Sequence, residues 1–145
     1  AFSASPCAVP GEGAAFFVLS REAGVGGYAS IGVEVSPDVA ADLWIADAQG
    51  LSGTEEGYHE VLPAGGLVAN YSPITGSMMS GSAFQCAAAA LSLRNARLYA
   101  SPLADNPHGL NVCRETGPAR LTRVSCLKTD GCGEKQQIDL WCGNP

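Results

Sequence analysis

The sequence of 145 residues has the length of one ordinary domain, or of one half of a larger one. Apolar residues make up 46% of it and charged residues 15%, a balance typical of a globular chain rather than a disordered one. The formal net charge is −6, and residues 1–90 hold nine acidic side chains against the single basic Arg21. Because a nucleic-acid-binding face needs a concentration of basic residues, this composition argues against nucleic acid as a partner.

Short apolar runs bounded by Gly, Pro and polar residues predict six strands. The first two are separated by glycine-rich turn residues at 24–27 and should form a hairpin, and the last two are joined by the turn sequence TDGCGE at 129–134. One long helix, at 81–93, follows the fourth strand, and a Pro- and Asn-rich crossing leads to the fifth. This order of elements is typical of an α/β layered fold. The predicted strands lie at 11–19, 28–35, 42–46, 67–71, 120–127 and 136–141.

The stretch 72–94, in which a turn of small residues leads into a helix of mainly Ala, Leu and Cys, is the predicted centre of the fold. A helix with hardly any polar face is a buried one. At about 1.5 Å per residue, 81–93 is only about 20 Å long. Ser82, Gln85 and Ser92 interrupt its apolar character, whereas a membrane span needs a longer and cleaner run. We therefore predict a buried central helix and no membrane partner.

The six cysteines permit two interpretations. An even number could form three disulfides in an oxidising compartment, as in a secreted binding module. However, Cys86 lies within the apolar helix, where a free cysteine behaves as a small hydrophobe. No two cysteines have the CxxC spacing of a zinc or redox site. We therefore favour a reduced, cytoplasmic chain without a metal, and six free thiols would eliminate the disulfide-bonded module.

Four stretches resemble β-ketoacyl synthases, in the same order and at similar spacing. They are VPGEGAAFFVLSREA at 9–23, IADAQG at 45–50, TGSMMSGSAFQCAAAALSLR at 75–94 and VSCLKTDGCGEKQQIDL at 124–140. They resemble, respectively, a strand of that family, its two histidine-bearing loops (the second with its following helix) and the glycine turn between its last two strands. The resemblance implies an α/β fold: the C-terminal half of a thiolase-like layered fold, with a mixed sheet and a buried central helix. It also implies that 1–145 is a single segment completed by another polypeptide.

The resemblance places Gln49 and Ser77 at the positions of the family's two catalytic histidines. Glutamine donates a hydrogen bond but cannot cycle a proton near neutrality, and serine performs neither role of an imidazole. In its replacement of both histidines, the sequence resembles the chain length factor. That protein is the inactive ketosynthase partner in type II polyketide synthases. We therefore expect no catalytic residue and a non-catalytic subunit that completes and shapes a condensing complex for polyketide or fatty-acyl chains. The alternative is that the chain is part of an active acyl-condensing or acyl-transfer enzyme. The nucleophile of that enzyme would lie on the missing half of the fold.

The same resemblance implies protein partners rather than a cofactor or a metal. They are an active ketosynthase subunit, a polypeptide that supplies the N-terminal half of the fold, and an acyl carrier protein that acts through the complex. We expect a few side chains to face the acyl tunnel or a partner. They lie in the turn before the helix, at the start of the helix and in the glycine turn. These candidates are Met78, Met79, Phe84 and Cys132.

The remaining titratable residues carry weaker signals. Asp47 and Glu60 are expected at a solvated rim rather than as a general acid and base. His59 lies in the polar stretch GYHEVLP and His108 in the Pro- and Gly-containing stretch NPHGL, so both are expected to face solvent.

Overall fold

The computed structural model describes residues 11–22, 26–33, 40–48, 58–76, 80–129 and 135–142. Within these ranges the chain forms strands and short helices, with one long helix near its middle. The elements in chain order are β1 (Ser30–Val33), β2 (Leu43–Ala46), α1 (Tyr58–Val61), β3 (Leu67–Ala69), α2 (Ser72–Thr75), α3 (Gly81–Asn95), β4 (Arg97–Leu98), β5 (Asn111–Val112), β6 (Gly117–Pro118), β7 (Arg123–Thr129) and β8 (Lys135–Trp141).

The described strands form a mixed six-stranded sheet and a separate short pair. The sheet order is β1-β8-β7-β2-β3-β5, and β4 pairs with β6. Strands β5, β3, β2 and β7 run parallel, whereas β8 and β1 add to β7 in antiparallel pairs. Parallel neighbours need a crossover connection, and the segments that contain α1, α2 and α3 supply it. This arrangement confirms the predicted α/β layered fold with a mixed sheet.

Successive strand residues point to opposite faces of the sheet. A buried cluster covers each of the two faces. On one face, Ile45 and Val124 belong to a buried cluster with Cys86, Ala89 and Leu93 of α3. On the other face, a second cluster is built around α1 and the loop before β5. Its buried members are Ala46, Ala48, Tyr58, Leu62, Val68, Leu103, Val112 and Leu127. The sheet therefore lies between α3 and this second layer.

Helix α3 lies at the predicted position and extends two residues past the predicted end. It ends where Ala96 adopts the left-handed conformation (φ 46°, ψ 53°), with its N–H bonded to the carbonyls of Ser92 and Leu93. The buried side of the helix includes Gln85 and Ser92, whereas Leu91 is 44% exposed. Because the sequence is apolar on nearly every side, it does not indicate which side faces the sheet.

The prediction of a strand at 11–19 is wrong, and so is the predicted hairpin between the first two strands. Residues 11–19 form no strand, and Phe16 and Val18 are 93% and 101% exposed. Strand β1 pairs instead with β8, with Ile31 opposite Leu140. An apolar run becomes a strand only when another strand accepts its hydrogen bonds, and the described residues supply none for 11–19.

The other predicted strands are confirmed to within a few residues. The strands and helices that the sequence did not predict are all short. Strands β4, β5 and β6 have two residues each. An alternation of apolar and polar residues cannot be recognised over two residues. Helices α1 and α2, of four residues each, are similarly too short to show a helical period.

Candidate functional site

The ends of β2 and β7 and the first turns of α3 enclose a small pocket of about 50 Å³. Its wall combines a carboxylate, an ammonium group, two amides and two thiols with a few apolar side chains. The lining residues are Asp47, Ser82, Gln85, Cys86, Cys126, Leu127, Lys128, Gln136 and Ile138.

The main chain of Asp47 is fixed where β2 ends. Its N–H donates to the carbonyl of Leu127 at 2.9 Å, which continues the β2–β7 ladder by one residue. Its carbonyl accepts a hydrogen bond from the hydroxyl of Tyr58 at 2.9 Å. In the parallel register Ala46 lies opposite Leu127, so Asp47 and Lys128 are adjacent at the same edge. The position of Asp47 is therefore set by strand pairing and by α1 together.

The carboxylate of Asp47 is buried and paired. Its Oδ2 accepts a hydrogen bond from Ser82 Oγ at 2.9 Å and lies 3.4 Å from Lys128 Nζ. The Asp47 side chain is 2% exposed and that of Lys128 is 32% exposed. The expectation that Asp47 lies at a solvated rim is therefore wrong, because strand pairing draws it under the start of α3. The side chain of Glu60 lies outside the described part of the molecule.

Two thiols that line the pocket, Cys86 on α3 and Cys126 on β7, are joined by a hydrogen bond. A hydrogen bond from Cys126 lowers the pKa of the Cys86 thiol, although burial and the charge of Asp47 act in the opposite direction. The same hydrogen bond, together with burial, raises the pKa of the Cys126 thiol well above its ordinary value. Both thiols are free, as are Cys113 and Cys142. Cys7 lies outside the described residues.

The most unusual group in the pocket wall is the side chain of Gln85. It is fully buried, and neither Oε1 nor Nε2 has a hydrogen-bond partner among the described residues. Ser92, two turns further along the same side of α3, is also fully buried with an unpartnered hydroxyl, but it does not line the pocket. Buried polar atoms without partners are rare in folded proteins and call for an explanation.

A second polar cluster lies on the opposite face of the sheet. Arg123 and Asp139 form a buried ion pair at 2.9 Å. Ser125 Oγ and Gln137 Nε2 also donate hydrogen bonds to the carboxylate. Burial raises the pKa of Asp139, but the hydrogen bonds from Arg123, Ser125 and Gln137 outweigh it and hold the pKa below its ordinary value. The cluster connects β7 to β8, and none of its members lines the pocket.

The structure describes only one of the site candidates predicted from the sequence. Gln49, Ser77, Met78, Met79 and Cys132 lie outside the described residues. Phe84 is half-buried and does not line the pocket. Its ring lies beside the segment that precedes β1, since a Cβ atom built at Gly13 would be 3.0 Å from Phe84 Cζ.

The two histidines are exposed, as predicted, but they also meet. The rings of His59 and His108 stack with centroids 4.2 Å apart and planes 2° from parallel. Neither ring lines the pocket. The part of the chain described by the structure contains no cluster of three or more His, Cys, Asp or Glu side chains that could hold a metal ion. In the same part, no helix is long and apolar enough to span a membrane.

Sequence reasoning missed most of the pocket. It treated Ser82 and Gln85 only as interruptions of an apolar helix and did not single out Lys128. One signal was present: Asp47 directly follows the buried run Leu43–Ala46. A charged residue at the end of a buried parallel strand lies at the edge where such sheets place their ligand sites.

No protein-family model matches the chain, and no curated protein matches it. Among solved structures, the ishigamide ketosynthase/chain length factor superposes with a TM-score of 0.60 at 15% identity, covering 72% of this chain and 28% of that one. The ketosynthase from module 1 of the bacillaene synthase of Bacillus amyloliquefaciens FZB42 gives a TM-score of 0.58 at 12% identity, covering 81% and 30%. This chain has the fold of the C-terminal portion of a ketosynthase.

A third ketosynthase structure agrees with this fold. It is a type II polyketide synthase acyl-carrier protein in complex with its ketosynthase bound to the hexaketide, with a TM-score of 0.56 at 11% identity. The match covers 72% of this chain but only 28% of that one. This chain therefore spans less than one third of the length of the ketosynthases that it matches.

Proposed function

We propose that this ketosynthase-like chain is a non-catalytic subunit of the chain length factor type. It completes and shapes a condensing complex for polyketide or fatty-acyl chains. Its partners in this proposal are a polypeptide that supplies the N-terminal half of the fold, an active ketosynthase subunit and an acyl carrier protein that delivers the growing chain. The free thiols of Cys86, Cys113, Cys126 and Cys142 are consistent with a reducing, cytoplasmic location.

The observation that carries this proposal is the apolar surface left on a partial fold. Phe16, Val18 and Leu19 are 93%, 101% and 72% exposed in an unpaired segment, and Val33 of the edge strand β1 is 75% exposed. Burying a large apolar side chain contributes about 1.5–3 kcal/mol, so these four side chains alone represent about 6–12 kcal/mol. A further polypeptide that accepts the 11–19 segment and covers the outer side of α3 would bury this surface.

The Asp47 carboxylate in the pocket is held by Ser82 and Lys128, and this pairing supports the non-catalytic part of the proposal. A volume of about 50 Å³ is far below the roughly 300–1,000 Å³ of pockets that hold extended ligands. An acyl tunnel would therefore have to form between this chain and its partners.

The proposal is tested by co-expression and reconstitution. The chain is expressed with candidate ketosynthase subunits from the same source, and mass spectrometry of the intact complex identifies what co-purifies. Condensation on the acyl carrier protein is then measured for the wild type, for Gln49→Ala and for Ser77→Ala, with Arg97→Ala, at an exposed residue of β4, as a control. Neither a glutamine nor a serine side chain titrates near neutral pH, so we expect each variant to lose less than about tenfold in rate.

The alternative is a catalytic chain that works with a nucleophile on the missing half. One observation favours this catalytic alternative. The same pocket is lined by the Cys86 thiol, the Asp47 carboxylate and the Lys128 ammonium group. A loss of about a thousandfold for Gln49→Ala with the control unchanged would overturn the non-catalytic proposal. Purification of the chain as a folded monomer that binds no ketosynthase would overturn the proposed assembly.

A further inference from the structure

The pocket under the start of α3 brings together two thiols that the proposed function does not use. Cys86 of α3 and Cys126 of β7 both line it and belong to the same buried cluster, and a hydrogen bond joins them. Both are free thiols. We propose that they form a peroxide-reactive pair: a small hydroperoxide oxidises Cys86, and Cys126 then closes a disulfide between α3 and β7.

The pocket gives a small oxidant a route to these thiols. Cys86 and Cys126 are 5% and 6% exposed, so each keeps some accessible surface. The main chain of Cys86 lies inside α3, and that of Cys126 lies between the paired strands β2 and β8. The remaining surface therefore belongs mainly to the side chains. Lys128, in the same pocket wall, has a side chain that is 32% exposed, so the pocket reaches solvent on that side.

The size of the pocket selects the class of oxidant. A volume of about 50 Å³ exceeds the roughly 10–15 Å³ that one water molecule requires. Hydrogen peroxide, with two oxygen atoms, fits within it, whereas a disulfide oxidant such as oxidised glutathione does not. The site is therefore expected to take hydrogen peroxide or the smallest alkyl hydroperoxides.

The surroundings of the two thiols assign their roles. A thiolate, rather than a thiol, attacks an oxidant. The hydrogen bond from Cys126 lowers the pKa of the Cys86 thiol, against the effects of burial and of the Asp47 charge. The same hydrogen bond, together with burial, raises the pKa of the Cys126 thiol well above its ordinary value. Cys86 is therefore the attacking group, and Cys126 is the partner that resolves the product.

The reaction balances in two steps. The Cys86 thiolate attacks one peroxide oxygen and the O–O bond breaks. The departing hydroxide takes up the proton released by Cys86, which gives water and leaves a sulfenic acid on Cys86. The sulfur of Cys126 then attacks the Cys86 sulfur, and the hydroxyl group leaves with the Cys126 proton as a second water. The two sulfurs thus supply the two electrons that reduce the peroxide. Disulfides of this kind in a reducing compartment are usually transient.

Cys113 is an internal reference for this chemistry. It is buried in the same cluster, but it does not line the pocket. Its Sγ donates to the main-chain carbonyls of Tyr99 and Glu115. Burial raises the pKa of its thiol. We therefore expect peroxide to oxidise Cys113 at least about tenfold more slowly than Cys86.

Peptide mapping tests the proposal on the full chain, purified with the polypeptides that complete it and treated briefly with hydrogen peroxide. Free thiols are alkylated before digestion with trypsin. Each of the six cysteines then lies on a different peptide, because a Lys or Arg separates every neighbouring pair. We expect mass spectrometry to show peptide 124–128 linked to peptide 22–94, and a reducing agent to separate them.

Two variants distinguish the pair from general oxidation. Cys126→Ser removes the resolving thiol, so Cys86 should stop at the sulfenic acid, which dimedone captures when the treated protein is unfolded. Cys113→Ser changes a buried cysteine outside the pocket and should leave the link between 22–94 and 124–128 unchanged. If Cys126→Ser does not fold, mapping of the wild type still decides the question.

Two results would overturn the proposal. The first is the absence of the Cys86–Cys126 link at a peroxide dose that oxidises the exposed Cys142. The second is oxidation of Cys113 as fast as that of Cys86, which would indicate that peroxide reacts with an opened chain rather than through the pocket. Both outcomes are independent of the proposed function, since the mapping requires no condensation activity.

Discussion

The buried ion pair between Arg123 and Asp139 gives a quantitative test of what holds β7 to β8. The side chains are 6% and 0% exposed, and Arg123 Nη2 lies 2.9 Å from Asp139 Oδ2. Ser125 and Gln137 donate to the same carboxylate. Asp139→Asn keeps the shape of the side chain but removes the charge and replaces one acceptor with an NH₂ group that faces other donors. The buried Arg123 guanidinium then loses the charge of Asp139 beside it.

The expected cost follows from that burial. Removing one partner of a buried ion pair destabilises a protein by about 3–5 kcal/mol, because the remaining charge loses an interaction that offset its desolvation. This corresponds to about two to four orders of magnitude in the opening equilibrium. The double replacement R123M/D139L removes both charges and should recover most of the loss, since well-packed apolar pairs often substitute for buried ion pairs.

The pair also predicts the direction of the pH dependence. The folded-state pKa of Asp139 lies below its ordinary value of 3.8, because the hydrogen bonds to its carboxylate outweigh the effect of burial. The unfolded chain therefore binds this proton more readily, so the stabilisation is complete well above pH 3.8 and is lost as the pH falls through the folded-state pKa. The wild type should lose stability below about pH 4 more steeply than Asp139→Asn.

Native-state hydrogen exchange of peptides that contain β7 and β8 is the appropriate assay, because it reports local opening inside an intact complex. Asp42→Asn is the matched control. Asp42 is exposed, and its Oδ2 accepts hydrogen bonds from Thr122 and from the N–H of Arg123, which an asparagine oxygen can still do. Its cost should stay below about 1 kcal/mol. A change in protection below about tenfold for Asp139→Asn, or a double variant no more stable than the single one, would refute the argument.

Two further predictions concern the assembly. The chain expressed alone should aggregate, because Phe16, Val18 and Leu91 are exposed, and a sharp thermal transition with monodisperse scattering would contradict this. If Met78 or Met79 lines the acyl tunnel, its replacement by Trp should shorten the product and by Ala should lengthen it. If both are core residues, Trp should instead destabilise by about 1–3 kcal/mol with product length unchanged. Product mass spectrometry with melting temperatures separates these cases, and an unchanged product profile in all four variants would remove both residues from the site.

The sequence by itself determined the elements whose signals are local. The apolar run before Asp47 predicted β2, and the long stretch without Gly or Pro after Gly81 predicted α3. The TDGCGE turn implied that β7 and β8 pair as neighbours, and they do, from Arg123 opposite Trp141 to Thr129 opposite Lys135. These features depend on residues close together in the chain, where propensity and periodicity act directly.

Only the tertiary structure decided which elements meet and which side chains they bury. The parallel register of β2 and β7 places Asp47 beside Lys128, although the two are far apart in sequence. Packing of α3 turns Gln85 toward the sheet and leaves Leu91 exposed, a choice that an almost uniformly apolar helix does not encode locally. The run at 11–19 has the composition of a strand but no partner among the described residues, and a strand exists only through hydrogen bonds to another segment.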